Sequence, residues 1–297
     1  MRRSLCLALV SACYVVPPAA PPPQPPRVVA QLPPAEAPQI TKGRYLAQLG
    51  GCTTCHTAVT PAGTRDMPRA LAGGFEVQFG TSGAWRSPNI TPDRETGIGD
   101  WTDAELVAAI RDGRGRDGRQ LLPIMPSAYY RWLTDEDTAA IVAYLRAQPA
   151  IPNMVTPSAG VFMDPAPAVE QPKDRGAYVA NLMHCDGCHT PRIGPHANEP
   201  FAGGVAFELG DGHGCVSANI TNDMTTGIGA WSDDEFVSTI RLMKRPTGEP
   251  IYGPMAMYRD AWSHITGEDA RALTTYVRSI APVKNELPER HPIVTSK

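Results

Sequence analysis

A duplication constrains this chain more than any other feature. Ser87-Pro-Asn-Ile-Thr-Pro-Asp93 and Thr96-Gly-Ile-Gly-Asp-Trp-Thr-Asp-Ala-Glu105 recur as Ser217-Ala-Asn-Ile-Thr-Asn-Asp223 and Thr226-Gly-Ile-Gly-Ala-Trp-Ser-Asp-Asp-Glu235, shifted throughout by 130 positions. Gly118 with Gly248 and Met125 with Met255 keep that shift. It grows to 132 between Glu136 and Glu268 and to 133 between two Cys-x-x-Cys-His motifs, so insertions of two or three residues separate otherwise matched halves. Self-similarity at a long period marks repeated structural units, and 297 residues accommodate two domains of ordinary size.

The 31 prolines show where the units end. A stretch dominated by Pro and Ala reads as a stiff tether over 21–40, behind a leader at 1–20. A second run, through Pro149, Pro152, Pro157, Pro165, Pro167 and Pro172, supplies a linker over 151–172. The domains then occupy 41–150 and 173–285, and a polar tail follows at 286–297.

Within each domain the helix signals repeat. Thr102 with Glu105 and Ser232 with Glu235 match the capping box, and Thr134 with Asp137 and Thr266 with Asp269 match its Asp variant. They predict middle helices at 103–112 and 233–243 and closing helices at 135–147 and 267–280, after opening helices at 41–50 and 174–184. Tyr45, Leu46 and Leu49 are spaced to cross Ile141, Val142 and Leu145. Alternating strand patterns are nearly absent, so the fold class is mainly α, as two tandem small helical domains.

The chemistry lies in Cys52-Thr-Thr-Cys55-His56 and Cys185-Asp-Gly-Cys188-His189, both of the haem c attachment pattern. On a helix, positions i, i+3 and i+4 share a face, so two thiols can bond a porphyrin edge while the histidine reaches its iron. Redox dithiols and zinc sites also use Cys-x-x-Cys, but two copies at the repeat period, each with its histidine, favour two covalent haems c. The repeat nominates Met125 and Met255 as second axial ligands, stiffened by Pro123, Pro126 and Pro254. A thioether opposite an imidazole raises the reduction potential and suits electron transfer. Counting back from Glu268 selects Met257 instead of Met255, and His184, His196, His213 and His264 offer a bis-histidine alternative in the second half. Cys215 stands where the first half has Trp85, as a small buried hydrophobe ahead of a reactive thiol, and Trp101 and Trp231 follow matched Gly-rich turns to pack a haem edge or the core.

Arg2 and Arg3 before the apolar run Leu5 to Val10 read as an export signal. Val10-Ser11-Ala12-Cys13 resembles a lipobox that would tether the protein to a membrane through a lipid on Cys13; the alternatives are cleavage near Ala19-Ala20 or a misplaced start. Either way the expected location is the periplasm. The formal charge is −3, or −5 without Arg2 and Arg3, and lacks the clustered Lys and Arg that bind nucleic acid.

These motifs resemble class I cytochromes c. Asn89-Ile-Thr-Pro-Asp93, Thr96-Gly-Ile-Gly99 and Trp101, with their second copy from Asn219 to Trp231, are similar to the multihaem cytochrome subunits of periplasmic alcohol, gluconate and aldehyde dehydrogenases. The resemblance implies a helical fold around each haem, His56 and His189 as proximal ligands, and Met125 and Met255 as distal ones. It also implies an electron carrier, not an enzyme, with a periplasmic dehydrogenase as donor and an oxidase or another cytochrome as acceptor. Subunits of that kind commonly carry three such motifs and a C-terminal membrane helix; with two motifs and a polar tail, direct quinone reduction is not expected here. The competing function is a dihaem enzyme, of peroxidase or thiosulfate-oxidising type, with one open iron site.

Overall fold

The computed structural model describes residues 37–78, 83–156, 158, 168–210, 213–288 and 293–294. The leader, Cys13 and most of the tether lie outside these residues. In the first half helices α1 (Pro38–Leu49) and α2 (Cys52–Cys55) precede a hairpin of β1 (Glu76–Gln78) and β2 (Ala84–Arg86), and α3 (Asp103–Arg111), α4 (Ser127–Tyr130) and α5 (Asp135–Arg146) follow. The same order recurs in α6 (Arg175–Leu182), α7 (Cys185–His189), β3 (Ala206–Gly210), β4 (His213–Val216), α8 (Asp233–Leu242), α9 (Arg259–Trp262) and α10 (Gly267–Arg278), and β5 (Ile293–Val294) ends it.

Opening and closing helices cross at backbone contact because each carries a small residue at the crossing. A Cβ added to Gly43 on α1 would lie 1.8 Å from the Ala140 carbonyl oxygen on α5, and one on Gly176 of α6 would lie 2.1 Å from that of Ala272 on α10. Around the first crossing Leu46 and Leu49 are fully buried against Ile141, Val142 and Leu145; a fully buried Leu contributes about 1.5–3 kcal/mol. Thr102 and Ser232 form complete capping boxes on α3 and α8.

Several boundaries differ from the sequence expectation. Helix α1 begins at Pro38, inside the expected tether, because proline at the first helical position loses no intrahelical hydrogen bond. The linker is partly bound to the first half: Ile151 carbonyl accepts from Asn89 at 2.8 Å, and Val169 carbonyl accepts from Trp132 at 2.8 Å. The polar tail contributes β5, which pairs antiparallel with β4. The hairpins escaped the pattern because three residues, as in β1 and β2, are too few to show alternation.

The halves dock by a reciprocal exchange. Tyr45 on α1 donates to Asp269 on α10 at 2.6 Å, and its counterpart Tyr178 on α6 donates to Asp137 on α5. Each carboxylate is also held by a cation of its own half: Lys42 lies 2.6 Å from Asp137, and Arg175 reaches Asp269 at 2.6 and 2.8 Å. Asp137 and Asp269 were expected to act as capping-box acids. Their backbone amides do meet Thr134 and Thr266, but their side chains, 7% and 4% exposed, join the two halves. Tyr45 likewise does more than cross Ile141, since its hydroxyl serves the other half.

Candidate functional site

Both Cys-x-x-Cys-His segments fold as a helical turn entered through a left-handed residue. Gly51, at φ +77°, leads into α2, where Cys55 N–H donates to Gly51 and His56 N–H to Cys52. In the second half the entering residue is His184, at φ +44°, where a non-glycine residue is strained. Cys52 and Cys55, like Cys185 and Cys188, therefore stand one turn apart with the histidine just beyond.

Each histidine is buried and oriented by a backbone carbonyl. His56 Nδ1 lies 2.8 Å from the Pro88 oxygen, and His189 Nδ1 lies 2.8 Å from that of Ala218. A carbonyl only accepts, so Nδ1 carries the proton and Nε2 keeps its lone pair for a metal. Burial lowers both imidazole pKa values, which keeps the rings neutral.

The repeated loop motif explains how that carbonyl is held. Asn89 spends its amide on Thr96 and Ile151 and its carbonyl oxygen on the Thr91 N–H and hydroxyl; Asn219 does the same with Thr226, Val283 and Thr221. Gly73 and Gly203 donate to the His56 and His189 carbonyls at 2.8 and 2.7 Å. A Cβ on either glycine would come within 2.6 Å of the loop backbone at Pro88 or Ala218, so only glycine lets the histidine segment approach. Leu71 and Phe201 take matched left-handed conformations beside them, their N–H groups bonded to the Thr57 and Thr190 hydroxyls. Arg146 and Arg278 cross-link the glycine-rich turns through the carbonyls of Ile98 and Trp101 and of Ile228 and Trp231.

Burial pushes the thiols of Cys52 and Cys185 up to about 12 and that of Cys188 up to about 11. Reactive dithiols show the opposite shift. Among the described residues no three His, Cys, Asp or Glu side chains converge on a metal position. Paired thiols beside a neutral histidine whose Nε2 is unclaimed fit covalent haem. Met125 and Met255 are both partly buried against the core, whereas Met257 is 37% exposed. His264 is exposed, His196 is bonded to Glu199, and the His184 ring faces Tyr258 and Tyr129. Cys215 is only partly buried, with its sulfur facing Gly253. The carbonyls of Pro88 and Ala218 were not foreseen, since any residue type can provide one; the recurrence of Ser-x-Asn-Ile-Thr around them was the signal.

Residues 40–149 match the family model described as cytochrome c. The chain is 33% identical over 285 residues to the cytochrome c subunit of a quinone-type alcohol dehydrogenase from Gluconacetobacter polyoxogenes, an alignment covering 86% of this chain and 58% of the relative. It is 32% identical to the fructose dehydrogenase cytochrome subunit of Gluconobacter japonicus, over 85% of this chain and 54% of the relative. A diheme cytochrome c-type protein of Cereibacter sphaeroides is 28% identical, with 83% and 87% covered. The chain thus spans little more than half the length of the two dehydrogenase subunits. Among the described residues no helix is long and apolar enough to cross a membrane. Residues 40–149 thus match a cytochrome c domain, and the chain resembles, along most of its length, the cytochrome subunits of alcohol and fructose dehydrogenases.

Proposed function

We propose that this chain is a dihaem electron carrier. Cys52 and Cys55 would hold one haem c, with His56 and Met125 as its iron ligands, and Cys185 and Cys188 would hold the other, with His189 and Met255. The observation that carries this reading is the same histidine-to-carbonyl hydrogen bond, 2.8 Å in each half, beside each pair of thiols. The haem iron would supply a one-electron Fe(III)/Fe(II) couple. The chain's residues do the rest: the carbonyls of Pro88 and Ala218 aim the imidazoles, and a thioether at Met125 or Met255 would serve as the second iron ligand and raise the potential.

The donor is a dehydrogenase outside the cytoplasm, with this chain as its subunit or partner, and the acceptor is an oxidase or another cytochrome. The names of the relatives support the donor class. The leader supports export to the periplasm, with a lipid on Cys13 as the tether; the mass of the mature protein tests the lipid.

The decisive experiment is a reduced-minus-oxidised spectrum with carbon monoxide titration on protein matured in a host that attaches haem c. Two low-spin haems blind to carbon monoxide are expected, one opening in Met125→Ala and the other in Met255→Ala. A haem that binds carbon monoxide in the unmutated protein would overturn the carrier reading for that half and favour a dihaem enzyme.

A further inference from the structure

The two attachment motifs face a common junction filled by rings. Tyr258, at the end of a 3₁₀ turn over Pro254–Tyr258, leaves its own half and lies against the first motif, its hydroxyl 3.9 Å from Cys55 Sγ. The place it occupies exists because residue 51 is glycine: a Cβ there would be 2.5 Å from Tyr258 Cε1. Tyr129 makes the reverse crossing. Its hydroxyl donates to Asp186 at 3.1 Å and would be 2.9 Å from a Cβ on Gly187, the second variable residue of the other motif. Between the two tyrosines stands His184, centroid to centroid 5.3 Å from Tyr258 and 6.5 Å from Tyr129, one residue before Cys185. Tyr258 also stacks on Trp262 at 4.6 Å, whose indole N–H is anchored on the Leu49 carbonyl of the first half at 3.0 Å.

Tyr258 falls in the stretch where the repeat shift grows from 130 to 132, between Met255 and Glu268. The first half has no counterpart to it. The insertion thus places an aromatic ring three residues after one candidate iron ligand and in contact with a cysteine of the other motif.

We propose that Tyr258 is the residue through which electrons cross between the two haem sites, with His184 continuing the path to Cys185. The proposal rests on the dihaem reading above. One electron moves: the donor iron passes from Fe(II) to Fe(III) and the acceptor from Fe(III) to Fe(II), and no bond forms or breaks. Packed rings couple the two sites better than the water or gap that would replace them. The phenol keeps its proton throughout, because burial holds its pKa well above 10.

The test compares wild type, Tyr258→Phe, Tyr258→Leu and His184→Gly, the last restoring the residue type found at position 51. Each holoprotein is reduced by a radiolytic pulse, and redistribution of the electron between the haems is followed optically; midpoint potentials and electron paramagnetic resonance g values are measured on the same samples. Loss of the fast redistribution phase in Tyr258→Leu and its slowing in His184→Gly, with wild-type speed in Tyr258→Phe and unchanged potentials and g values in all, would support the proposal. Unchanged redistribution in Tyr258→Leu would overturn it. So would slowing accompanied by shifted potentials or g values, which would make Tyr258 a packing residue only. A wild-type spectrum without two low-spin haems would overturn the dihaem reading, and the crossing with it.

Discussion

Tyr45→Phe removes one hydroxyl, which donates to Asp269 and accepts from the Thr266 N–H at 3.3 Å. The ring stays, but buried Asp269 loses the hydroxyl at 2.6 Å and keeps Arg175. A hydrogen bond to a charged group contributes about 1.5–3 kcal/mol; with both Arg175 contacts intact, the cost belongs at the low end, about 1.5 kcal/mol. At roughly 2–4 °C per kcal/mol for a protein of this size, the melting temperature should fall by about 3–6 °C. Tyr178→Phe should cost more, about 2–3 kcal/mol, because Asp137 then keeps the single amine of Lys42, 39% exposed, in place of a two-pronged guanidinium. Thermal unfolding of the holoprotein, followed by far-ultraviolet circular dichroism and by haem absorbance, gives both numbers. A double-mutant cycle with Asp269→Asn isolates the pair: the coupling to Tyr45 should be about 1 kcal/mol or more. A coupling near zero, or an unchanged melting temperature in Tyr45→Phe, would refute the claim that these bonds lock the halves together.

Gly43→Ala and Gly176→Ala should each cost at least about 1–3 kcal/mol, because the new methyl meets a carbonyl oxygen at 1.8 or 2.1 Å that belongs to a helix backbone; the yield and melting of each purified variant check this. Asn219→Ala should cost about 2–3 kcal/mol by leaving the buried Thr221 hydroxyl and the Val283 carbonyl short of a partner, measured by denaturant unfolding. Burial and the Asp269 carboxylate push the Tyr45 phenol up to about 12 from its ordinary 10. Folding therefore favours its protonated form: the contribution is complete below pH 10 and is lost as pH rises from 10 through 12. Tyr45→Phe should flatten that part of the stability profile, and an identical slope in wild type and variant would contradict it.

The parts of the fold legible in the sequence were those in which one residue type does one local job. Thr102 and Ser232 cap where expected, and the cysteines and histidines of both motifs share helical turns. What stayed hidden depended on partners distant in sequence. Asp137 and Asp269 read as capping acids because their own helices were the only context available; the tyrosines that claim them are 41 and 224 residues away. The carbonyls of Pro88 and Ala218 were invisible for a different reason, since the group belongs to the backbone and is selected by the loop's geometry. The Asn-Ile-Thr repeat announced that the loop was held fixed without revealing what it held.

Comparing what the duplication kept with what it changed separates two constraints. The loop residues that aim the histidines repeat unaltered: Ser87 and Ser217, Asn89 and Asn219, Thr91 and Thr221, Gly73 and Gly203. The departures include Gly51 against His184, Thr54 against Gly187, Tyr129 against Ala261, and the insertion that brings in Tyr258. Gly51, Tyr129, His184, Gly187 and Tyr258 are scattered along the sequence, yet in space they meet at the junction between the motifs. An exact two-fold arrangement would ask the same side chain to fill both sides of one narrow gap. Filling it once from each side requires a glycine opposite each incoming ring, and Gly51 opposite Tyr258 and Gly187 opposite Tyr129 meet that requirement. Each half thus keeps its own histidine geometry while the contact between the halves has become asymmetric, so a substitution at the junction should alter communication between the sites before it alters either site.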